Sequence, residues 1–143
     1  VILRLFLTYG PRQDSSRFLP QIICGCIDDK EFPTTMGEQL RDFCYVNDTV
    51  NAILKSLYVP DIEGEIFNIA SGEPISIRTM IDKVCSIVGA GKPQYGKLTY
   101  REGENMALYA NLKKTEKYLE WYPKTNLEEG LKETIEWFKN NKA

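Results

Sequence analysis

Apolar residues open the chain. Val1 to Thr8 is a near-continuous apolar run rich in β-formers, interrupted by Arg4 and closed by the turn signal Tyr9-Gly10-Pro11. Continuous apolarity, as opposed to alternation, predicts a strand covered on both faces, as in a parallel sheet flanked by helices. The spacing then becomes helical. Phe18, Ile22, Ile23, Cys26 and Ile27 fall on one face, with Ser15 or Ser16 placed to cap and Pro20 tolerable in the first turn. Phe32 to Met36 and Arg41 to Val46 read as extended pieces. Asn47-Asp48 is placed to cap a helix with the stripe Val50, Ile53, Leu54 and Leu57, ended by Pro60 and Gly64. Glu65 to Ala70 predicts a second buried strand, followed by the turn Ser71-Gly72-Glu73-Pro74. Ser76 caps the clearest helix, which carries Ile77, Met80, Ile81, Val84, Cys85 and Val88 on one face and Gly89 at a left-handed C-cap. A short strand over Lys97 to Arg101 and helices over Asn111 to Trp121 and Leu127 to Asn140 complete the pattern. Strands alternating with helices place the chain in the α/β class.

Composition narrows the function. The 143 residues are 43% hydrophobic and 27% charged, the balance of one globular domain. No run approaches the roughly 20 apolar residues that cross a bilayer. With a net charge of −2 and its cations dispersed, the chain is not suited to nucleic acid or to an anionic membrane. Histidine is absent, which removes histidine-dependent hydrolysis. Cys24-Gly25-Cys26 has the wrong spacing for a zinc site, so no metal is expected, and the four cysteines read as free thiols of a reducing cytoplasm. The chain begins inside an apolar run, without an initiator methionine and without the layout of an export signal. That opening suggests a fragment of a larger protein.

Two short patterns suggest chemistry and fail on context. Gly91-Lys92-Pro93-Gln94-Tyr95-Gly96-Lys97 approaches a phosphate-binding loop, but Leu98 stands where Ser or Thr would hold magnesium, and the segment follows a helix instead of a strand. Tyr109 and Lys113 have the spacing of a catalytic Tyr-x-x-x-Lys pair, but Asn111 is placed to cap the helix, which leaves Tyr109 outside it. No glycine-rich dinucleotide fingerprint occurs. No catalytic residue is therefore assigned within these 143 residues.

A third set of segments is informative through its order. Arg4 to Gln13 resembles the "RxFNxYGPRQ" strand and loop of extended short-chain dehydrogenases/reductases, and Phe18-Leu19-Pro20 resembles the start of the helix that follows there. Gly37 to Asp48 resembles the "GxxxRDFxYVDD" segment, and Phe67 to Gly72 resembles "xNIGSG". Arg101 to Glu104 resembles "RxGD", while Leu119 to Pro123 and Leu127 to Leu131 resemble the family's ending. The resemblance runs from residue 4 to about 138. The family is that of NAD-dependent nucleotide-sugar epimerases, dehydratases and reductases. The wording between Tyr95 and Tyr109 resembles surface-polysaccharide enzymes such as CDP-abequose synthase-like reductases.

The resemblance implies the carboxy-terminal part of a Rossmann-type enzyme, with two core parallel strands plus a small α/β substrate-binding lobe spanning residues 1–143. The amino-terminal half, which would bind NAD or NADP and carry the catalytic pair, would lie outside this chain, and the chain alone would be inactive. Arg41 and Arg101 match the positions that grip the diphosphate of a nucleotide-diphospho-sugar, for which a planar guanidinium is well suited. The stretch Phe32 to Met36 matches base recognition, through backbone groups around Thr34 and the side chain of Met36. Glu104 replaces the usual Asp of its motif. Tyr9 and Pro11 would line the nicotinamide region. Leu7 departs from the family, where many members carry a substrate-contacting Asn. The expected partners are the nucleotide-sugar and further copies of the chain, joined through the exposed edge of Val1 to Thr8. A non-catalytic nucleotide-sugar module and an unrelated small α/β interaction domain remain as alternatives.

Overall fold

The computed structural model describes residues 1–141. The first half runs β1 (Ile2–Leu5), β2 (Leu7–Tyr9), α1 (Phe18–Ile27), β3 (Glu31–Pro33), β4 (Leu40–Arg41), β5 (Phe43–Tyr45) and α2 (Val46–Ser56). The second runs β6 (Ile66–Ile69), β7 (Ile75–Ser76), α3 (Ile77–Val88), β8 (Lys92–Gln94), β9 (Ala107–Leu108), α4 (Lys113–Leu119) and α5 (Leu127–Asn140). The fold is α/β, with the strand pairs β1–β6, β2–β5 and β3–β8 all parallel.

The opening apolar run forms two strands where one was expected. β1 lies beside β6 in the register Ile2↔Ile66 to Leu5↔Ile69, and β2 lies beside β5 from Leu7↔Phe43 to Tyr9↔Tyr45. The handover is visible in the backbone: Phe6 N–H donates to Ile69 O at 2.9 Å, and Leu7 N–H donates to Asp42 O at 3.2 Å. The expected burial on both faces does not hold for this run. Ile2 is 59% exposed, Leu5 47% and Leu7 44%, because β1 and β2 each pair on one side only, and within β1 Leu3 packs onto the core cluster that holds Phe67 and Ile69.

α2 is a second correction. Its apolar stripe, Val50, Ile53, Leu54 and Leu57, faces outward, and Asp48, Thr49, Ala52 and Ser56 are buried instead. Small and hydrogen-bonded side chains suit that inner face, where α2 runs against β5, β2 and α4. Thr49 Oγ1 donates to Tyr45 O, and Ser56 Oγ donates to Ile53 O. Asn47 and Asp48 lie inside the first turn and do not cap it; Tyr45 is the N-cap. Likewise Arg17, not Ser15 or Ser16, precedes α1. Asp48 accepts instead from the N–H groups of Lys124 and Thr125, holding the link between α4 and α5.

α3 follows its pattern closely. Ser76 Oγ accepts from Thr79 N–H at 3.0 Å, Met80, Ile81 and Val84 are fully buried, and Gly89 ends the helix at φ 81°. Each such side chain contributes about 1.5–3 kcal/mol by leaving water. They join α1 (Ile22, Ile23, Cys26) and α5 (Leu131, Ile135, Phe138) around the aromatic trio Tyr9, Phe43 and Tyr45. A second cluster gathers Cys44, Ala52, Phe67, Ile69, Leu119 and Trp121. Lys97 to Arg101 is not a strand. The chain turns at Gly96 (φ 78°) directly after β8, and Leu98 N–H returns to Thr34 O.

Candidate functional site

Of the residues assigned from sequence, Arg41 and Tyr9 lie in strands, and Pro11, Thr34, Met36, Arg101 and Glu104 lie in the connections. β4 is central: it pairs antiparallel with β7 (Leu40↔Ser76, Arg41↔Ile75) and parallel with β9 (Leu40↔Ala107, Arg41↔Leu108). Leu40 N–H also donates to Met106 O at 2.8 Å. This pairing carries the 101–106 turn across more than 60 residues of sequence to the side of Arg41. Glu104 meets Arg41 there: the guanidinium Nη2 donates to Glu104 Oε1 while Nη1 donates to Leu40 O at 2.8 Å. Both side chains are largely shielded, at 13% and 19% exposure, so this ion pair is less screened than a surface one. Arg101 stands exposed at the start of the same turn, which the bond from Glu104 N–H to Arg101 O closes at 3.0 Å.

A second contact extends the same edge. Tyr100 Oη accepts from Glu38 N–H and donates to the Glu38 carboxylate, both at 3.1 Å. Further along, β3 and β8 pair from Glu31↔Lys92 to Pro33↔Gln94. Thr34 is buried, with its N–H on Gln94 O and its hydroxyl on Thr35 O. Met36 is 44% exposed and lies against Gly96, where a Cβ would come within 3.0 Å of its sulphur. Gly37 takes φ 76° and packs on the start of α3, with Arg78 N–H donating to Gly37 O at 2.8 Å. Arg78 in turn covers the Tyr95 ring at 4.0 Å, and the Tyr95 hydroxyl donates to Asp82 at 2.6 Å. Burial first, and the Asp82 carboxylate second, push the Tyr95 hydroxyl well above its ordinary range. Arg41 and Glu104 are thus brought together beside β4, with Arg101 on the same turn as Glu104, while Thr34 and Met36 lie beside the separate β3–β8 pair.

Tyr9 and Pro11 are placed differently. Tyr9 is 2% exposed, its ring packed edge-on against Phe43 and Tyr45 and its hydroxyl donating to Leu127 O. Burial drives its hydroxyl far above the ordinary tyrosine range. Pro11 is half-buried beyond the end of β2. Two clefts of about 340 and 420 Å³ open elsewhere. One is lined by Asp48, Lys55, Trp121 and Tyr122, and the other by Phe43, Ser71, Ile75, Lys83 and Leu127. Neither is lined by a residue assigned from sequence.

The structure adds one residue that the sequence reading passed over. Asp42 is fully buried between Arg41 and Phe43, and its carboxylate accepts from Ser71 N–H (2.7 Å), Ser71 Oγ (2.6 Å), Gly72 N–H (3.1 Å) and Ala110 N–H (3.3 Å). It ties the turn after β6 and the approach to α4 to the base of the Arg41 strand. The signal was in the Arg-Asp-Phe wording itself: an acidic residue inside an apolar extended piece must find donors or stay exposed. The two sequence decoys fall away. Gly91 to Lys97 contains β8 and a turn, and Tyr109 stands exposed before α4, with Asn111 Oδ1 accepting from Lys113 N–H at 3.0 Å. Among the described residues, no group of three or more His, Cys, Asp or Glu could hold a metal ion.

Comparison with known proteins agrees with the geometry. Residues 1–70 match the model of the NAD dependent epimerase/dehydratase family. A putative UDP-glucose 4-epimerase of Methanocaldococcus jannaschii is 37% identical over 98% of this chain and 46% of its own length. A low-salt glycan biosynthesis protein of Haloferax volcanii is 29% identical over 96% of this chain and 44% of its own length. The UDP-glucuronic acid 4-epimerase of Bacillus cereus, solved with UDP-glucuronic acid and NAD, superimposes with a TM-score of 0.88 at 30% identity, covering 98% of this chain and 45% of that one. The chain therefore spans less than half the length of the relatives it matches.

Proposed function

We propose that this chain, which belongs to the NAD dependent epimerase/dehydratase family, is the carboxy-terminal, substrate-holding portion of an enzyme that modifies the sugar of a nucleotide-diphospho-sugar. The observation that carries this reading is the pairing of Arg41 with Glu104 from segments about 60 residues apart, which brings the turn that begins at Arg101 beside β4. Arg41 spends only part of its N–H fork on Glu104 and Leu40, and its other N–H groups, with the exposed Arg101, supply donors for two phosphates. Glu104 holds the Arg41 plane in place before substrate arrives. The segment at Thr34 and Met36 takes the nucleotide base: Met36 covers it with its exposed thioether, and Thr34, buried and bonded to Gln94 and Leu98, fixes the backbone beside it.

The residues present do not form a dinucleotide cradle. The connection from β2 to α1 holds a single glycine, Gly10, packed onto Val46, where a phosphate-binding turn would need several. NAD or NADP, which supplies hydride chemistry in this family, is therefore assigned to residues outside this chain. Pro11, half-buried beyond the end of β2, is the residue of this chain assigned to face the cofactor, and the Tyr9 ring serves the core. The contribution of these 143 residues to catalysis is positioning: they fix the diphosphate and base so that the sugar is presented in one orientation. The chain alone is inactive on this reading. A setting in glycan synthesis draws support from the Haloferax relative. A cytoplasmic location draws support from the four free thiols; among the described residues no helix is long and apolar enough to cross a membrane.

The test is calorimetric titration with UDP-, CDP-, GDP- and dTDP-sugars, on the protein and on its Arg41→Ala and Arg101→Ala variants. Binding is expected for one nucleotide class. Each substitution should weaken it roughly 10- to 100-fold, the value of a charge-assisted hydrogen-bonded contact. Equal affinity in the variants would overturn the assignment.

A further inference from the structure

Two thiols with no part in the site above lie against each other. Cys26, one residue before the end of α1, is fully buried, and Cys85, in the last turn of α3, is half-buried. Their sulphur atoms are 3.4 Å apart although the residues are 59 positions apart in sequence. The two helices pack along each other through Ile22, Ile23, Met80, Ile81 and Val84, so the approach follows from the core and not from a mobile loop. Gly91 closes a third side. A Cβ there would lie 2.6 Å from the Cys26 sulphur and 3.1 Å from that of Cys85, at a φ of +118° that side chains rarely adopt. The backbone thus leaves room for two sulphur atoms and little else.

We propose that Cys26 and Cys85 form a reversible oxidation site, a dithiol that a small disulfide of the oxidised-glutathione class converts to a Cys26–Cys85 cross-link. The half-exposed Cys85 thiolate attacks one sulphur of the small disulfide, forming a mixed disulfide and releasing one small thiol. Cys26 then gives up its proton and attacks the Cys85 sulphur, releasing the second. Two protein thiols lose two electrons and two protons, and the small disulfide gains them. The sulphur separation has to shorten by roughly 1.4 Å, which the terminal turns of two helices can supply. Burial holds the Cys26 thiol above its ordinary range, so Cys26 attacks second and is the resolving thiol.

The placement gives the bond a consequence, which rests on the function proposed above. α1 feeds β3 and α3 feeds β8, so the cross-link would tie the roots of the parallel pair leading to Thr34 and Met36.

Native protein incubated with oxidised glutathione, alkylated after denaturation and peptide-mapped, tests the site directly. The expected product is a peptide pair linking Cys26 to Cys85, about 2 Da lighter than the two free peptides and restored by dithiothreitol. Cys24→Ser should leave the link intact, and Cys85→Ser should abolish it with Cys26 recovered as a free thiol. Recovery of Cys26 and Cys85 as separately alkylated thiols from the wild-type protein would overturn the proposal. So would glutathione retained on Cys85 without closure, or a link made instead to Cys24 or Cys44. The wild-type map decides the question even if a variant fails to fold.

Discussion

Removing the Asp42 carboxylate should cost the fold about 3 kcal/mol, and the structure shows where the loss falls. Asp42→Ala takes away the acceptor of four donors on two separate segments: Ser71 N–H and Oγ, Gly72 N–H and Ala110 N–H. Hydrogen bonds to a charged group contribute about 1.5–3 kcal/mol each when buried, and stranded donors add a desolvation cost. Gly72 is exposed, and Ser71 Oγ keeps a 3.3 Å contact with Glu73 O, so water and that carbonyl recover part of the loss. The full cost falls on Ser71 N–H and Ala110 N–H. With a urea slope of about 2 kcal/mol/M, the unfolding midpoint followed by circular dichroism should drop by about 1.5 M. Ser71→Ala, which removes only the hydroxyl bond, should cost about 1 kcal/mol. Native-state hydrogen exchange supplies a local readout, because the amides of Ser71, Gly72 and Ala110 should lose protection ahead of those in α3. A midpoint within about 0.3 M of wild type, or unchanged protection at those three amides, would refute the claim that Asp42 holds these segments.

Other consequences follow from close packing, titration and exposed surface. Gly130→Ala places a Cβ 2.2 Å from the Tyr9 hydroxyl and 2.9 Å from the Tyr45 ring, so thermal unfolding should show a loss of about 1–3 kcal/mol; an unchanged midpoint would mean that α5 shifts freely. Under reducing conditions stability should fall as the solution becomes alkaline. Burial raises the folded-state values of Cys44 to about 11 and of Cys26 to about 12, so their contribution is complete below about pH 9 and is lost as pH rises through the folded values. Between pH 9 and 10 these two thiols should dominate, each at about 1 kcal/mol, and Cys44→Ala should flatten the slope there. Above pH 10 the buried tyrosines Tyr9 and Tyr45, also raised, steepen it. The exposed outer strand β1 should promote self-association visible in light scattering and reduced by Ile2→Lys; a monomer at high concentration with the native sequence would contradict this.

Local physics was written plainly along the chain. The Ser76 cap, the α3 stripe and the left-handed Gly89 depend on neighbours within a few residues, and they appear as read. α5 begins at Leu127 and ends at Asn140, as its periodicity required. The class, α/β, was legible because apolar runs and turn residues carry it, and the parallel relation of the opening run to residues 65–70 was legible through the family resemblance. The ordered motifs pointed to Arg41, Arg101 and Glu104. They could not show that Arg41 would be held by Glu104, since that pair exists only after β4 and β9 align.

What tertiary structure decided was partnership. An apolar residue in sequence states only that burial would be favourable, not that a neighbour exists to bury it. Hence Val50, Ile53, Leu54 and Leu57 keep a helical stripe yet face outward, while Asp48 and Thr49 are buried because backbone donors from the link between α4 and α5 and an acceptor from β5 meet them. The same holds for Asp42, whose donors arrive from positions about 30 and 70 residues away, and for Cys26 and Cys85, joined only by the packing of α1 on α3. Periodicity is a one-dimensional signal set by the geometry of a single element. The chemistry of this protein resides in contacts between elements, and those are determined by how the cores close.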